Sequence, residues 1–215
     1  MTSQLQADYW DKVCQTKSFS HPVDQLIYDL LSLDSRILDY GCGKGRIIQE
    51  LSSRGYHNLI GVESSANMLY EASKLITSAN VTLINNQAIH IPEIANLSVN
   101  FTFLFAVLTC IIGDNDQKLL IEELARVLQS GGYLYISDYL IQADTLNQNR
   151  YKNKIVDNCY GTFKTEDGGV MRHHQEDYFF NLFKDKFEII WTKSINGTTM
   201  NNNSTIITQV LLRKY

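Results

Sequence analysis

The chain has 215 residues, of which 44% are hydrophobic, 20% are charged and only 2 are proline. This composition is typical of one globular domain with a sizeable core, and it excludes a disordered or low-complexity chain. The net charge is -4 and no cluster of lysine or arginine stands out, which argues against nucleic acid as a partner and favours a small or cationic substrate.

Nothing in the sequence indicates a membrane or secretory destination. No apolar run reaches the ~18 residues that a membrane span needs, and the first residues lack a basic region followed by an apolar one. We therefore expect a cytoplasmic protein without a membrane partner. Cys14, Cys42, Cys110 and Cys159 lack metal-ligand spacing, so we expect reduced thiols and no metal site. The oligomeric state stays open.

An aromatic pair near the N-terminus, Tyr9 and Trp10, lies in a pattern that predicts an amphipathic helix over residues 7–17. A break follows, and Pro22 is predicted as the first residue of a second helix. Such an aromatic pair either packs on the body of the domain or covers a ligand. We interpret residues 1–33 as a helical lid on a single domain that spans the chain.

Strands and helices alternate along the next hundred residues. Predicted strands cover residues 36–39, 58–63, 81–86, 99–106 and 133–137, and predicted helices between them cover 44–54, 64–77 and 114–128. This alternation predicts an α/β fold with a doubly wound, parallel sheet.

Past Tyr139 the alternation stops. The polar, turn-rich stretch 142–169 is long for a loop without a role, and we interpret residues 139–178 as a partly helical substrate cap. The pattern then predicts a helix and two further strands, at residues 174–184, 187–193 and 204–213.

A turn rich in glycine follows the first strand. Asp39 ends that strand, and Gly41, Gly43 and Gly45 alternate before the helical pattern begins. Such a turn presents backbone N–H groups at the positive end of a helix dipole and lets a ligand approach the backbone. We therefore expect the ligand to lie at this turn.

The glycine spacing differs from that of nicotinamide-binding loops. Gly-x-Gly-x-x-Gly needs its third glycine at Arg46, but here it falls one position earlier. Together with Asp39, an acid at Glu63 that ends the second strand, and the Leu-Gln-Ser-Gly-Gly entry to the fifth strand, the pattern resembles the class I S-adenosylmethionine-dependent methyltransferases, in their small-molecule branch. The resemblance covers residues 37–138 well and the remainder less well.

The resemblance implies a seven-stranded, mostly parallel Rossmann-like sheet with an antiparallel last strand, and S-adenosylmethionine as cofactor. Glu63 can accept hydrogen bonds from both ribose hydroxyls, although it can instead cap the next helix as a surface acid. Gln87 stands where the family often has an Asp that recognises adenine, and the N–H of Ala88 faces the ring. Met68 either lines the adenine pocket or belongs to the core. The implied cofactor-binding residues are Tyr9, Trp10, Asp39, Gly41, Cys42, Gly43, Glu63, Ser64, Met68, Gln87, Ala88, Phe105, Ala106 and Leu108.

Polar and aromatic clusters in the C-terminal third lie where small-molecule members of the family select their substrates. Arg172 can pair with a substrate carboxylate, and His173 or His174 can accept a proton. The alternative is a helix start that these residues cap and solvate. The candidate catalytic residues are Arg172, His173 and His174. The candidate substrate-binding residues are His21, Tyr160, Phe163, Arg172, His173, Met200 and Asn201, although a lone histidine such as His21 is more often a turn or cap residue.

The implied reaction is in-line attack of a substrate nitrogen or oxygen on the sulfonium methyl group, without a metal. Strand four is not followed by the Asn/Asp-Pro-Pro-aromatic motif of the branches that methylate DNA or glutamine, which favours a small polar acceptor. No single base stands out, and an amine needs a base less than a hydroxyl does, so we favour nitrogen over oxygen. The alternatives are a nicotinamide-dependent oxidoreductase and a non-catalytic nucleoside-binding module.

Overall fold

The computed structural model describes residues 3–76, 78, 80–153 and 159–215, with the side chains of residues 3–5 and 153 left out. The start of the predicted lid, the predicted helix end at Thr77 and residues 154–158 of the predicted cap lie outside the described residues.

The helices are short and separate the strands. They are α1 Ser3–Val13, α2 Gln25–Leu30, α3 Arg46–Ser53, α4 Ala66–Leu75, α5 Asp114–Val127, α6 Thr145–Asn153 and α7 Glu176–Asn181, with a 3-10 turn at Leu108–Cys110. No helix among the described residues is both long and apolar enough to cross a membrane.

The strands form one large sheet and one hairpin. They are β1 Ile37–Tyr40, β2 Leu59–Glu63, β3 Val81–Asn85, β4 Val99–Phe105, β5 Leu128–Asp138, β6 Thr162–Lys164, β7 Val170–Arg172, β8 Phe187–Thr198 and β9 Ser204–Lys214. The sheet has seven strands in the order β3-β2-β1-β4-β5-β9-β8, and β6 pairs with β7 separately.

Strand direction agrees with the predicted fold. Strands β1 to β5 pair in parallel, whereas β9 is antiparallel to both neighbours, β5 and β8. The seven-stranded, mostly parallel sheet with an antiparallel last strand is confirmed. Strand β9 lies inside the sheet, because β8 takes the edge.

Apolar side chains cover both faces of the sheet. On one face Leu104 and Ile136 pack with Leu124 of α5, and on the other Phe103 and Tyr135 pack with residues of α3. The apolar run of β4 is buried at six of its seven positions, since only Asn100 is half-buried. Burial on both faces is typical of a central strand in a doubly wound sheet.

The start of α2 differs from the prediction. Its first position was expected at Pro22, but Asp24 caps that helix by accepting the N–H of Leu26 at 3.0 Å. Leu75 of α4 and Leu119 of α5 are 56% and 43% exposed. Ile76, just after α4, packs on the core. In α5 the buried stripe runs through Leu120, Ile121 and Leu124.

The topology fixes where a ligand lies. The chain leaves β1 toward β2 on one side, and returns through β4 on the other. Ligands of open α/β sheets bind outside the carboxyl ends of the strands at such a switch point. Asp39, Glu63 and Phe105 all lie at that edge of the sheet, because each stands at or beside the end of its strand.

Candidate active site

A cavity of about 710 Å³ opens at the carboxyl ends of β1, β2 and β4. Most of the residues predicted to bind the cofactor line it, and they come from five separate segments of the chain. They are Trp10, Asp39, Gly41, Cys42, Gly43, Glu63, Ser64, Met68, Gln87, Ala88, Phe105 and Ala106. Leu108 does not line the cavity, because it is fully buried in the core, and Tyr9 lines a smaller neighbouring cavity.

Glu63 connects the second strand to the glycine turn. One carboxylate oxygen accepts the N–H of Gly43 at 2.9 Å, and the other accepts the N–H of Ser65 at 2.8 Å and the hydroxyl of Ser64 at 3.2 Å. Burial raises the pKa of this carboxyl, and the N–H groups of Ser65 and Gly43 lower it in part. These donors hold the Glu63 carboxylate in place in the cavity wall.

The cap of α4 is a different residue. Ser65 accepts the N–H of Met68 at 3.1 Å through its side chain and so caps that helix. Glu63 therefore supports the cap through Ser65 without being the cap itself.

Asp39 is the buried acid with spare bonding capacity. It is 2% exposed, lines the cavity, and its Oδ2 atom has no hydrogen-bond partner among the described residues. Burial raises its pKa to about 7, with Arg46 opposing the rise and Glu63 adding to it. A buried acceptor without a partner costs free energy, so a ligand that donates a hydrogen bond here is stabilised.

A second buried acid at the same edge gives a comparison. Asp138, at the end of β5, accepts the N–H groups of Thr109 at 3.2 Å and Tyr139 at 2.8 Å. Each of its oxygens therefore has a protein donor, whereas Oδ2 of Asp39 has none among the described residues. The open acceptor of Asp39 is a local feature of the cavity and not a general property of strand ends in this fold.

The glycine turn leaves room for a ligand. Gly41 and Gly43 have φ angles of +77° and +53°, which favour glycine. A Cβ atom on Gly41 would lie 2.5 Å from a methyl group of Val107, whereas one on Gly43 would have nothing within 4 Å. The backbone at Gly43 therefore faces open space, which suits close approach of a ligand.

Arg46, which stands where a nicotinamide-binding loop would have glycine, has its own contacts. It lines the cavity, and its guanidinium donates to the backbone carbonyl of His21 at 2.6 Å. The turn is thus tied to the N-terminal segment by a side chain that a glycine lacks.

The segment after β3, which also lines the cavity, differs from the prediction in one hydrogen bond. The N–H of Ala88 was expected to face an adenine ring, but it donates to the side chain of Asn86 at 3.1 Å. Gln87 is exposed and Met68 is buried at the cavity wall. Asn86, which also lines the cavity, was not predicted, since an Asn between a strand and a turn is common and carries no specific signal.

Helix α1 and the segment after it form one wall of the cavity. Asp11 accepts the hydroxyl of Ser65 at 2.5 Å and the N–H of Asn67 at 2.9 Å, and Gln6 donates to the carbonyl of Val170 at 3.0 Å. Trp10 lines the cavity as predicted. Lys17, Ser18 and Phe19 also line it and were missed. Only their closeness in sequence to the aromatic pair could have indicated them.

A side cavity of about 60 Å³ adjoins the large one and shares Lys17, Ala106 and Met200 with it. The predicted residues that line this side cavity are Tyr9, Phe163, His173, Met200 and Asn201. Arg150, Tyr139 and Met171 also line it and were missed. Ala106, at the junction, has a φ of +52°, a left-handed conformation that is strained for a residue other than glycine.

His173 is the one candidate catalytic residue that reaches a cavity wall. Its Nδ1 atom lies 2.6 Å from the Tyr151 hydroxyl, and its ring stacks on Tyr139 with centroids 5.2 Å apart. Burial lowers its pKa to about 3. An imidazole of this basicity is a poor general base near neutral pH.

Arg172 lies away from both cavities. It donates to the carbonyl of Ile112 at 2.7 Å and to Asp114 at 2.6 Å, and its guanidinium lies 4.4 Å from the ring centroid of Tyr178. The guanidinium fork thus ties β7 to the start of α5. Its geometry fits the structural alternative better than a substrate contact.

The remaining candidates are also engaged within the protein. His21 bonds to Ser137 at 2.9 Å and to the Tyr139 hydroxyl at 2.8 Å, and burial lowers its pKa to about 3. His174 accepts from Gln117 at 2.8 Å, with a burial-lowered pKa of about 3 as well. Tyr160 is exposed and lines neither cavity. Among the described residues, no three His, Cys, Asp or Glu side chains converge as metal ligands.

Comparison with known proteins adds a family match. The sequence profile of a family described as "Methyltransferase domain" matches residues 38–136, which contain β1 to β4 and most of β5. No curated protein sequence matches the chain.

Solved structures show the same fold across the whole chain. An S-adenosylmethionine-dependent methyltransferase from Methanosarcina mazei is 24% identical, with a TM-score of 0.82, and the match covers 90% of this chain and 99% of that one. Magnesium protoporphyrin IX methyltransferase from Synechocystis PCC 6803, solved with bound S-adenosylhomocysteine, is 15% identical over 99% of both chains, with a TM-score of 0.71.

The same fold also occurs with a different activity. The [4+2]-cyclase SpnF is 14% identical, with a TM-score of 0.74, and the match covers 100% of this chain and 97% of that one. At these identities the likeness shows the fold and does not determine the reaction, which depends on the residues of the site.

Proposed function

We propose that the chain is a class I S-adenosylmethionine-dependent methyltransferase that methylates a small polar molecule, supported by the match of the methyltransferase-domain profile to residues 38–136. We favour a nitrogen acceptor over an oxygen acceptor. The chain is an enzyme of this class and S-adenosylmethionine is its cofactor. A cytoplasmic location and a small-molecule partner, without nucleic acid, belong to the proposal.

The observation that carries the proposal is the pair of buried carboxylates on either side of the glycine turn. Asp39 has an oxygen without a hydrogen-bond partner among the described residues, Glu63 is fixed beside the glycine turn, and both line the same cavity. These acids suit the amino group and the ribose hydroxyls of the cofactor, while the open backbone at Gly43 lets it approach. The cofactor supplies a methyl group on a positive sulfur that is already activated toward attack.

The protein's own contribution is alignment and exclusion of water. Trp10, Lys17 and Phe19 bring the N-terminal segment against the cavity, and Lys17 bonds to Asp167 of the C-terminal part at 2.5 Å. This arrangement supports residues 1–33 as a lid and residues 139–178 as a substrate cap. A cavity walled on both sides in this way suits a small acceptor better than a polymer.

The preference for nitrogen rests on the histidines. His21, His173 and His174 are buried, hydrogen-bonded and of lowered pKa, so none of them is a strong base for a hydroxyl substrate. A neutral amine attacks without prior loss of a proton and releases it afterwards.

Transfer of a labelled methyl group tests the proposal. The purified protein is incubated with S-adenosylmethionine labelled at the methyl group, together with small-molecule, protein and nucleic-acid fractions of a cell extract. We expect label only in the small-molecule fraction, bound to nitrogen, and less of it with the Asp39→Asn variant. Label in protein or nucleic acid, or no transfer to any fraction, would contradict the proposal.

A further inference from the structure

The side cavity is a compartment for part of a molecule. A cavity needs ~10–15 Å³ to hold one water molecule, so a cavity of about 60 Å³ holds a group of a few heavy atoms. Its lining includes four aromatic residues, Tyr9, Tyr139, Phe163 and His173, together with threonines, asparagines and two cations. Because it meets the large cavity at Ala106 and Met200, a molecule in the large cavity can extend a small group into it.

The hydrogen bonds of Tyr151 fix the position of the proton on His173. The Tyr151 hydroxyl is fully buried and accepts the N–H of Gln142 at 3.1 Å. Its own proton needs an acceptor, and among the described residues only Nδ1 of His173, at 2.6 Å, offers one. Nδ1 is therefore unprotonated. Because the ring is neutral, its proton lies on Nε2.

The Nε2–H group of His173 is a donor toward the side cavity. No described residue bonds to Nε2 of His173, and the residue lines the side cavity. A neutral imidazole held in this tautomer donates a hydrogen bond into the cavity and does not accept a proton there. The group that enters the cavity must therefore present an acceptor atom.

Arg150 supplies a positive charge to the same compartment. Its guanidinium bonds to the side-chain oxygen of Asn147 at 3.0 Å and lies 5.2 Å from the ring centroid of Phe163. Among the described residues it has no carboxylate within ion-pair distance. The other cation in the lining, Lys17, is already paired with Asp167 at 2.5 Å.

No Asp or Glu lines the side cavity, so its charge balance is positive. A compartment of this size with a fixed N–H donor and a guanidinium fork fits a carboxylate. A cationic group has no counter-charge in it.

We propose that the side cavity binds a carboxylate of the methyl acceptor, with Nε2–H of His173 and the guanidinium of Arg150 as donors. Tyr151 is a positioning residue, because it holds the proton of His173 on Nε2. That the bound molecule is the methyl acceptor rests on the proposed function, because its carboxylate reaches the side cavity from the cofactor cavity. It moves the expected carboxylate contact from Arg172 to Arg150, 22 positions earlier in the chain.

Binding of three matched probes tests the inference. Benzoate, benzamide and benzylamine share a phenyl ring and differ in the charge of the attached group. They are titrated by nuclear magnetic resonance into the full-length protein, alone and with S-adenosylhomocysteine, while ¹⁵N signals report the tautomer of each histidine. We expect benzoate to bind at least about tenfold more tightly than either of the other probes, and His173 to carry its proton on Nε2.

Variants connect the binding to the named residues. Arg150→Gln is expected to weaken benzoate binding about tenfold or more, while Arg150→Lys, which keeps the charge but loses the guanidinium fork, is expected to weaken it less than Arg150→Gln does. Tyr151→Phe is expected to release the fixed tautomer of His173 and to weaken benzoate without changing affinity for S-adenosylhomocysteine. Should Tyr151→Phe fail to fold, Arg150→Gln decides alone, because that side chain is half-exposed.

Three results would overturn the inference: equal binding of benzamide or benzylamine, benzoate affinity unaffected by Arg150→Gln, or a proton on Nδ1 of His173 in the wild-type protein. Absence of any benzoate binding would overturn it as well. Because benzoate is also measured without the cofactor product, a failure to bind S-adenosylhomocysteine counts against the proposed function and leaves the benzoate result separate.

Discussion

Glu63, the last residue of β2, accepts the backbone N–H of Gly43 at 2.9 Å and so holds the turn that follows β1. One carboxylate thereby sets the shape of the glycine turn and also stands in the cavity wall. The two strands are parallel neighbours, with Asp39 opposite Gly61. The contact is therefore a direct product of the sheet register.

Replacement of this acid is expected to weaken cofactor binding. Glu63→Ala removes hydrogen bonds to a charged group, each worth about 1.5–3 kcal/mol, so the Kd for S-adenosylhomocysteine is expected to rise roughly 10- to 150-fold. Titration calorimetry measures this. Glu122→Ala, at an exposed acid on α5, is the matched control and is expected to leave Kd unchanged. Unchanged affinity in Glu63→Ala would show that the acid has a structural role only.

Because the backbone at Gly43 faces open space, we expect a side chain added there to weaken cofactor binding beyond its effect on stability. Gly43→Ala and Gly55→Ala both place a side chain at a positive φ, +53° and +93°, and each is expected to cost about 1 kcal/mol of stability. Only the first introduces a Cβ atom into the cavity. We expect similar melting temperatures for the two variants and at least about tenfold weaker cofactor binding for Gly43→Ala alone. Equal affinities would mean that no ligand approaches this turn.

Cofactor affinity is expected to depend on pH through Asp39. Its raised pKa of about 7 means that the carboxyl is largely protonated below neutral pH and ionised above it. The ionised form is the better acceptor, so affinity is expected to rise about tenfold between about pH 6 and about pH 8. Asp39→Asn is the matched control, because every other titratable group, including the amino group of the cofactor, is the same in both proteins. The same pH dependence in both proteins would contradict the role of Asp39.

The ion pair between Lys17 and Asp167 is expected to slow release of the product. The two atoms lie 2.5 Å apart and join the segment after α1 to the loop between β6 and β7. Asp167→Asn removes the charge without changing the lining of the large cavity. We expect a several-fold faster dissociation of S-adenosylhomocysteine in stopped-flow measurements. Glu166→Gln, at the exposed neighbouring acid, serves as control, and equal rates in both variants would argue against a lid.

Much of the fold and of the cofactor cavity could be predicted from the sequence, because the signals there are local. The apolar strands, the glycine turn and the acid at Glu63 are consecutive or lie at strand ends, and the parallel topology brings strand ends together. Asp39, Gly43 and Glu63 therefore fall in one cavity without any knowledge of side-chain packing.

The acceptor side could not be predicted in the same way. Arg172 pairs with Asp114, 58 positions away, and His174 with Gln117, 57 positions away. These contacts depend on where the β6–β7 hairpin docks, which no local pattern encodes. Arg150 lies in a polar helix with no apolar stripe to orient it, so nothing in the sequence indicated that it reaches the side cavity.

The most direct measurement is titration calorimetry of the wild-type protein with S-adenosylhomocysteine and, in parallel, with NADH. We expect saturable 1:1 binding of S-adenosylhomocysteine, which Glu63→Ala weakens, and no heat of binding with NADH. Binding of NADH, or no binding of S-adenosylhomocysteine at any accessible concentration, would contradict this expectation.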